Sequence, residues 1–128
     1  MRVAALAILV AGCASVQSGA APLGVGQAWQ RGDELDGLMV SIEGVASGCD
    51  LEGCHLLDRS GDGPAIRVGG SAAFANAMRR ATGRTVIVRG RFNATCLRGS
   101  MPKAPTTGFV SCTGAGTPLR NGRLVAVL

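Results

Sequence analysis

The chain has 128 residues, 47% of them hydrophobic, with 13 Lys and Arg against 8 Asp and Glu, which gives a net charge of +5. This length holds one small domain, and the hydrophobic content excludes a disordered charged tail. One Trp, three Phe, no Tyr and a single His argue against stacking platforms for single-stranded nucleic acid and against histidine-rich metal sites. We therefore expect neither a nucleic-acid partner nor a bound metal.

The N-terminal segment is typical of an export signal. Arg2 gives a positive start, and the apolar run from Val3 to Val10 is shorter than the ~20 residues needed to span a bilayer. Val10-Ala11-Gly12-Cys13 then places small residues directly before a cysteine. This stretch resembles the lipobox of bacterial lipoproteins; the alternative is a hydrophobic N-terminus with a chance cysteine. The resemblance implies a signal peptide over residues 1–12, diacylglycerol on the Cys13 sulfur, and a fatty acid such as palmitate on its new amine.

The lipobox resemblance also implies a location. An Asp after the lipidated cysteine retains lipoproteins in the inner membrane of diderm bacteria, so Ala14 indicates the outer membrane, facing the periplasm. In a monoderm the same chain would lie outside the cytoplasmic membrane. Residues 13–32 are interpreted as the lipidated N-terminus and a flexible linker, because Ala14–Gln30 is uncharged and contains several Ser and Gly. We expect Trp29, near the end of this linker, to pack on the domain.

The domain is expected to cover residues 33–128, with three strands, one helix and two further strands. Apolar and polar residues alternate with a period of two in the strands. Ser71 is typical of a helix N-cap, and Gly83 stands where a helix C-terminal glycine belongs. A stretch dense in turn residues, Asp58–Pro64, joins the second and third strands. The predicted strands are Leu38–Glu43, His55–Leu57, Ala65–Val68, Thr85–Phe92 and Arg123–Leu128.

This order of elements resembles the OB-fold, a five-stranded Greek-key barrel whose helix lies between strands three and four. The resemblance rests on element order and lengths rather than on a residue signature. It implies a mainly β domain with one helix, folded as a five-stranded OB-like barrel. A small open α+β sandwich built from the same elements is the alternative.

Four cysteines remain after Cys13, and an even number in an exported domain indicates two disulfides. Of the three pairings, we favour Cys49–Cys54 and Cys96–Cys112, because each pair closes one loop of the predicted barrel. The first loop joins strands one and two, and the second joins strands four and five. A four-cysteine zinc site is the alternative, but 15 residues between Cys96 and Cys112 do not suit a zinc knuckle.

The motifs that suggest catalysis or metal binding are incomplete. Asp58, Ser60 and Asp62 resemble the start of a calcium loop, but Gly69 stands where that loop requires a bidentate Glu. His55 has no Ser or Asp at a spacing that would assemble a triad. We therefore expect no catalytic residue, no enzymatic activity and no cofactor other than the lipid on Cys13.

The charge distribution is asymmetric along the chain. All eight acids lie between Asp33 and Asp62, and ten of the basic residues follow them. Arg84, Arg89 and Arg91 lie on or beside the fourth strand and are candidate anion-binding residues. Strand alternation places Arg89 and Arg91 on the outer face. We expect acids of strand one, such as Glu43, to be their main partners, which would make the surface structural; the alternative partner is an external anion.

These observations predict a lipid-anchored cell-envelope protein that acts as a non-enzymatic structural or binding module. An OB-type domain that binds an anionic or oligosaccharide envelope ligand is the alternative. A small envelope enzyme is the second alternative, although it lacks a catalytic constellation. The expected partners are the membrane, through the lipid anchor, and an envelope protein, lipid or polysaccharide.

Overall fold

A six-stranded mixed sheet forms the body of the structure, a computed structural model that describes residues 21–97 and 117–128. The mainly β class predicted from the sequence is confirmed. The described residues contain six strands and three α-helices, where five strands and one helix were predicted. The elements are β1 (Leu23–Gly24), α1 (Val25–Gln30), α2 (Gly32–Leu35), β2 (Met39–Asp50), β3 (Gly53–Leu57), β4 (Ala65–Val68), α3 (Ala72–Arg80), β5 (Thr85–Phe92), a 3-10 turn (Ala94–Cys96) and β6 (Leu119–Val127).

Strand β2 pairs with a strand on each side, and the other pairings form a continuous path between those two partners. Strand β2 pairs antiparallel with β3 on one side and with β5 on the other. Strand β3 pairs antiparallel with β4, and β5 pairs antiparallel with β6. Strands β4 and β6 run parallel and meet at Val68 and Leu119. Strand β1 lies parallel to β2, with Leu23 opposite Ile42.

The core is built from the alternate residues of the strands together with one face of α3. Strands β4 and β5 have the predicted bounds, and every second residue of β5 from Val86 to Phe92 is buried. Helix α3 begins as predicted, because the Ser71 hydroxyl accepts the backbone N–H of Phe74 at 3.1 Å. Phe74 and Met78 are buried on the face of α3 that meets the sheet.

Strand β2 extends seven residues beyond its predicted end at Glu43. The alternation of buried residues continues through Gly44 and Ala46, whose small size hid the pattern in the sequence. Gly44 is required here, since a Cβ at this position would lie 2.6 Å from the carbonyl oxygen of Leu57. Gly44 therefore allows β2 and β3 to approach closely, and their pairing stabilises the longer strand.

The C-terminal part of the segment predicted to be a flexible linker, residues 13–32, is folded. Residues 25–30 form α1, in which Val25 and Ala28 are fully buried in the core. The Trp29 indole N–H donates to the carbonyl oxygen of Ala65 at 3.1 Å, so the expected packing of Trp29 on the domain is confirmed. The folded region thus begins before residue 33. Residues 1–20, with the predicted signal peptide and Cys13, lie outside the described residues.

The predicted disulfide between Cys49 and Cys54 is confirmed. These residues face each other in the register of β2 and β3, so the bond closes the hairpin where the two strands meet. Cys96 is also disulfide-bonded. Cys112 lies outside the described residues, so the Cys96–Cys112 pairing stays a prediction. Among the described residues, every helix is too short or too polar to cross a membrane.

Candidate anion-binding surface

Four arginines lie side by side on the outer face of β5 and β6. Arg89 and Arg91 are exposed, as strand alternation predicted. The antiparallel register places Arg123 opposite Arg89 and Arg120 opposite Arg91. We call these four residues the arginine surface. Like charges directly opposite each other on neighbouring strands are destabilising, so this arrangement needs a physical explanation.

Gly90 allows the arginine-bearing strands to lie this close. A Cβ on Gly90, between Arg89 and Arg91, would lie 2.6 Å from the carbonyl oxygen of Arg120. The register shifts between Arg89 and Arg91, where Asn121 adopts a φ of 54°. Such a bulge lets the chain continue on the same face after an extra residue. It brings both arginines of β6 opposite those of β5.

The acid expected to neutralise this surface binds elsewhere. Glu43 lies opposite Ile87 in the register of β2 and β5. Its carboxylate accepts a hydrogen bond from Arg59 at 2.8 Å. The prediction that Glu43 is a partner of Arg89 and Arg91 is therefore wrong, because the register displaces it from both.

Strand β2 and the segment before it supply only neutral acceptors to the arginine surface. The Nη1 atom of Arg89 donates to the Ser41 hydroxyl at 3.3 Å. The Nη1 atom of Arg91 donates to the carbonyl oxygen of Gly37 at 2.7 Å. Each guanidinium has five N–H donors, so both have more donors than these two hydrogen bonds use.

The arginine surface carries uncompensated positive charge. All eight acidic side chains belong to the described part of the chain, and the ion pairs there leave these four arginines out. The Nε atom of Arg120 is buried and has no acceptor among the described residues. A buried donor without a partner costs about 1–3 kcal/mol. An added anion would offset the positive charge of the exposed guanidinium groups. The ion pairs are Arg31–Glu34 at 3.0 Å, Arg59–Glu43 at 2.8 Å and Arg67–Glu52 at 3.3 Å.

The structure does not bring Arg84 to the arginine surface. Arg84 precedes the first residue of β5, and its Nη2 atom donates to the main-chain oxygen of Leu128 at 3.2 Å. Five residue steps of extended strand separate it from Arg89, about 17 Å. Sequence reasoning instead missed Arg120 and Arg123 as members of the site. The antiparallel pairing of the last two predicted strands could have indicated Arg123.

A groove of about 230 Å³ adjoins the arginine surface on its β2 side. Arg89 and Ser41 form one wall, and Arg31, from the connection between α1 and α2, contributes a second guanidinium. Arg31 is paired with Glu34, and both side chains are about half exposed. The groove also contains Ala21 and Leu23, where the N-terminal segment enters the fold.

The turn after β3 joins α1 to the sheet through one carboxylate. Asp58 Oδ2 accepts the Ser60 hydroxyl at 2.6 Å and the Ser60 backbone N–H at 3.1 Å. Its Oδ1 accepts the N–H of Gly26, in the first turn of α1, at 3.0 Å. These hydrogen bonds, the Ser60 hydroxyl foremost, lower the pKa of Asp58 below its usual value of 3.8. Asp58 therefore acts as a structural link in the turn between β3 and β4.

Replacing Asp58 with alanine is expected to destabilise the fold at neutral pH. Because the folded-state pKa is lowered, ionised Asp58 stabilises the protein above the unfolded-state pKa. That stabilisation is lost as the pH falls through the lower folded-state pKa. Denaturant unfolding should thus show a gap between wild type and Asp58→Ala at pH 7 that narrows as the pH falls below about 3.8.

Asp62→Ala in the same turn is the matched control for this prediction. The Asp62 carboxylate accepts no hydrogen bond within the described ranges, so its removal should leave stability nearly unchanged at either pH. A gap for Asp58→Ala that stays constant from pH 7 to strongly acidic pH would contradict the structural role of the ionised carboxylate.

The described part of the chain contains no cluster of side chains that would support metal binding or catalysis. No group of three or more His, Cys, Asp and Glu there has the geometry to hold a metal ion. His55 lies half-buried on β3, opposite Arg67 of β4. Cys54, its neighbour, is bonded to Cys49 and is no nucleophile.

Comparison with known proteins found no matching family, no matching curated protein and no matching solved structure.

Proposed function

We propose that this protein is a lipid-anchored, non-enzymatic binding module of the cell envelope, whose ligand is an anion held by the arginine surface. The acylated Cys13 attaches it to the outer membrane, facing the periplasm. The lipobox sequence supports the anchor. The arginine surface supports binding over a purely structural role, which the sequence alone favoured.

The proposed architecture is an OB-like barrel. Its support is the chain of strand pairings from β2 through β3, β4, β6 and β5 back to β2, together with the parallel contact of β4 and β6. A five-stranded barrel with its helix between the third and fourth strands is the arrangement that the element order implies. Because the short strand β1 precedes the five predicted strands, the third and fourth of them are β4 and β5, and the helix is α3.

The observation that carries the proposal is the absence of a carboxylate partner for four adjacent arginines. A structural surface would be expected to place acids opposite bases, since opposite charges stabilise cross-strand pairs. This chain has eight acids and places none of them within ion-pair distance of the arginine surface, within the described residues. Guanidinium groups bind phosphate, sulfate and carboxylate through paired hydrogen bonds.

The double variant Arg89→Gln/Arg91→Gln tests this proposal. We expect it to unfold within about 1 kcal/mol of wild type, because exposed charges contribute little to stability. Its salt-sensitive binding to dextran sulfate should fall at least about tenfold, because a hydrogen bond to a charged group contributes ~1.5–3 kcal/mol. Binding is measured by calorimetry at low and high salt.

The matched control is Arg79→Gln/Arg80→Gln, which removes the same charge from the exposed end of α3. A nonspecific effect of net charge would lower binding equally in both double variants. Equal loss in the two variants, or unchanged binding in Arg89→Gln/Arg91→Gln, would contradict a binding role and return the surface to a structural one.

A further inference from the structure

The N-terminal segment meets the domain at the arginine surface. Ala21 and Leu23 line the same groove as Arg89, and β1 lies beside β2 with Leu23 opposite Ile42. The chain that leads from the predicted lipid anchor therefore reaches the fold within the groove beside Arg89. The predicted anchor is therefore tethered to the domain on this side.

The distance from the anchor to this groove is short. Eight residue steps separate Cys13 from Ala21. A fully extended chain of that length spans at most about 28 Å. That length is close to the diameter of a small domain, so it restricts how far the arginine surface can turn from the leaflet.

Exposed aliphatic side chains accompany the arginines. Val125, 57% exposed, follows Arg123 on β6. Met39, 42% exposed, lies opposite Arg91 on β2. Binding to a membrane surface strengthens with the apolar area buried and with the electrostatic attraction to anionic lipids.

We propose that the arginine surface docks on the anionic phosphate headgroups of the leaflet that holds the acyl chains. This inference rests on the function proposed above and names its ligand class. The anchor makes docking intramolecular, so even a weak affinity suffices at the high effective concentration near the bilayer. The lipid chains and the arginine surface then give the domain two attachment points and one orientation.

Fluorescence quenching by nitroxide-bearing lipids tests the orientation in the full lipidated protein, reconstituted into vesicles. A fluorophore is attached at Val125→Cys, beside the arginine surface, or at Asp62→Cys, in the turn between β3 and β4. The vesicles contain phosphatidylcholine alone or with phosphatidylglycerol. We expect stronger quenching at position 125 than at position 62 in anionic vesicles only. That difference should disappear at about 1 M salt, where charges are screened beyond about 3 Å.

Adding Arg89→Gln/Arg91→Gln should lower the ratio of docked to undocked domain about thirtyfold, from the typical contribution of two basic residues near an anionic surface. Equal quenching at both positions, or quenching independent of lipid charge, would overturn leaflet docking. If the double variant still loses dextran sulfate binding in that case, the surface binds a soluble envelope anion and the proposed function stands. If that binding is unchanged as well, both fail.

Discussion

Replacing Cys13 with alanine is expected to abolish fatty-acid labelling completely and to leave an uncleaved precursor. Only the thiol can form the thioether to diacylglycerol. In the bacterial lipoproteins that this segment resembles, cleavage before the cysteine depends on that modification. Metabolic labelling with a radioactive fatty acid, followed by electrophoresis and mass determination of the N-terminus, measures both effects. The expected effect is large because, in the proposed anchor, cleavage and acylation of the new amine both depend on the thioether at Cys13.

Ser15→Ala is the control for this experiment, because it changes a neighbouring small polar residue and leaves the lipobox intact. It should be labelled and cleaved like wild type. Fatty-acid labelling of the Cys13→Ala variant would refute the lipobox and leave residues 1–12 as an ordinary hydrophobic segment.

Replacing Phe92 with alanine is expected to have the largest effect on stability. Phe92 is fully buried at the end of β5, where it lies opposite Leu119 of β6. Its N–H donates to the carbonyl oxygen of Leu38 at 2.8 Å, so this residue joins three segments of the fold. Truncation of a buried Phe costs about 3–5 kcal/mol. Because domains are stable by only ~5–15 kcal/mol, urea unfolding should show the loss of much of the total.

Val125→Ala is the matched control, since it removes an aliphatic side chain that is more than half exposed on the neighbouring strand. Its free energy of unfolding should stay within about 0.5 kcal/mol of wild type. A loss below 1 kcal/mol for Phe92→Ala would contradict the placement of β5 against the core.

The strands with β-branched residues and clear alternation were predictable from the sequence. Strand β5 matches its predicted bounds because Val86 and Val88 alternate with outward residues, and hydrophobic burial selects that register. Helix α3 was predictable because Ser71 supplies a local cap and Phe74 and Met78 share one face. In both cases, short-range chemistry and tertiary packing favour the same structure.

Helix α1 and the ends of β2 and β6 were not predictable in the same way. Residues Val25–Gln30 include a glycine and no charge, so local propensity is weak. The helix is held by long-range interactions: burial of Val25 and Ala28, and the bond from Gly26 to Asp58. Partners that lie 32 residues apart in sequence leave no periodic signal within the helix.

The outward direction of Arg89 and Arg91 was predictable from the sequence, but the partner predicted for them was wrong. Alternation placed Arg89 and Arg91 outward, and the structure agrees. Their neighbours depend on register, which sequence periodicity fixes only to within steps of two residues. The observed register places Ser41 opposite Arg89 and displaces Glu43 by two positions. That single shift converts an expected neutral surface into a positively charged one.

The most direct measurement is a titration with inorganic phosphate, followed by NMR of the arginine Nε–H groups. If the arginine surface binds anions, the Nε–H signals of Arg89, Arg91, Arg120 and Arg123 should shift in a saturable manner. The signals of Arg79 and Arg80, which lie outside the surface, should stay nearly fixed, and high salt should suppress the shifts. Uniform small shifts at every arginine, or none, would contradict the claim that these four residues form an anion-binding surface.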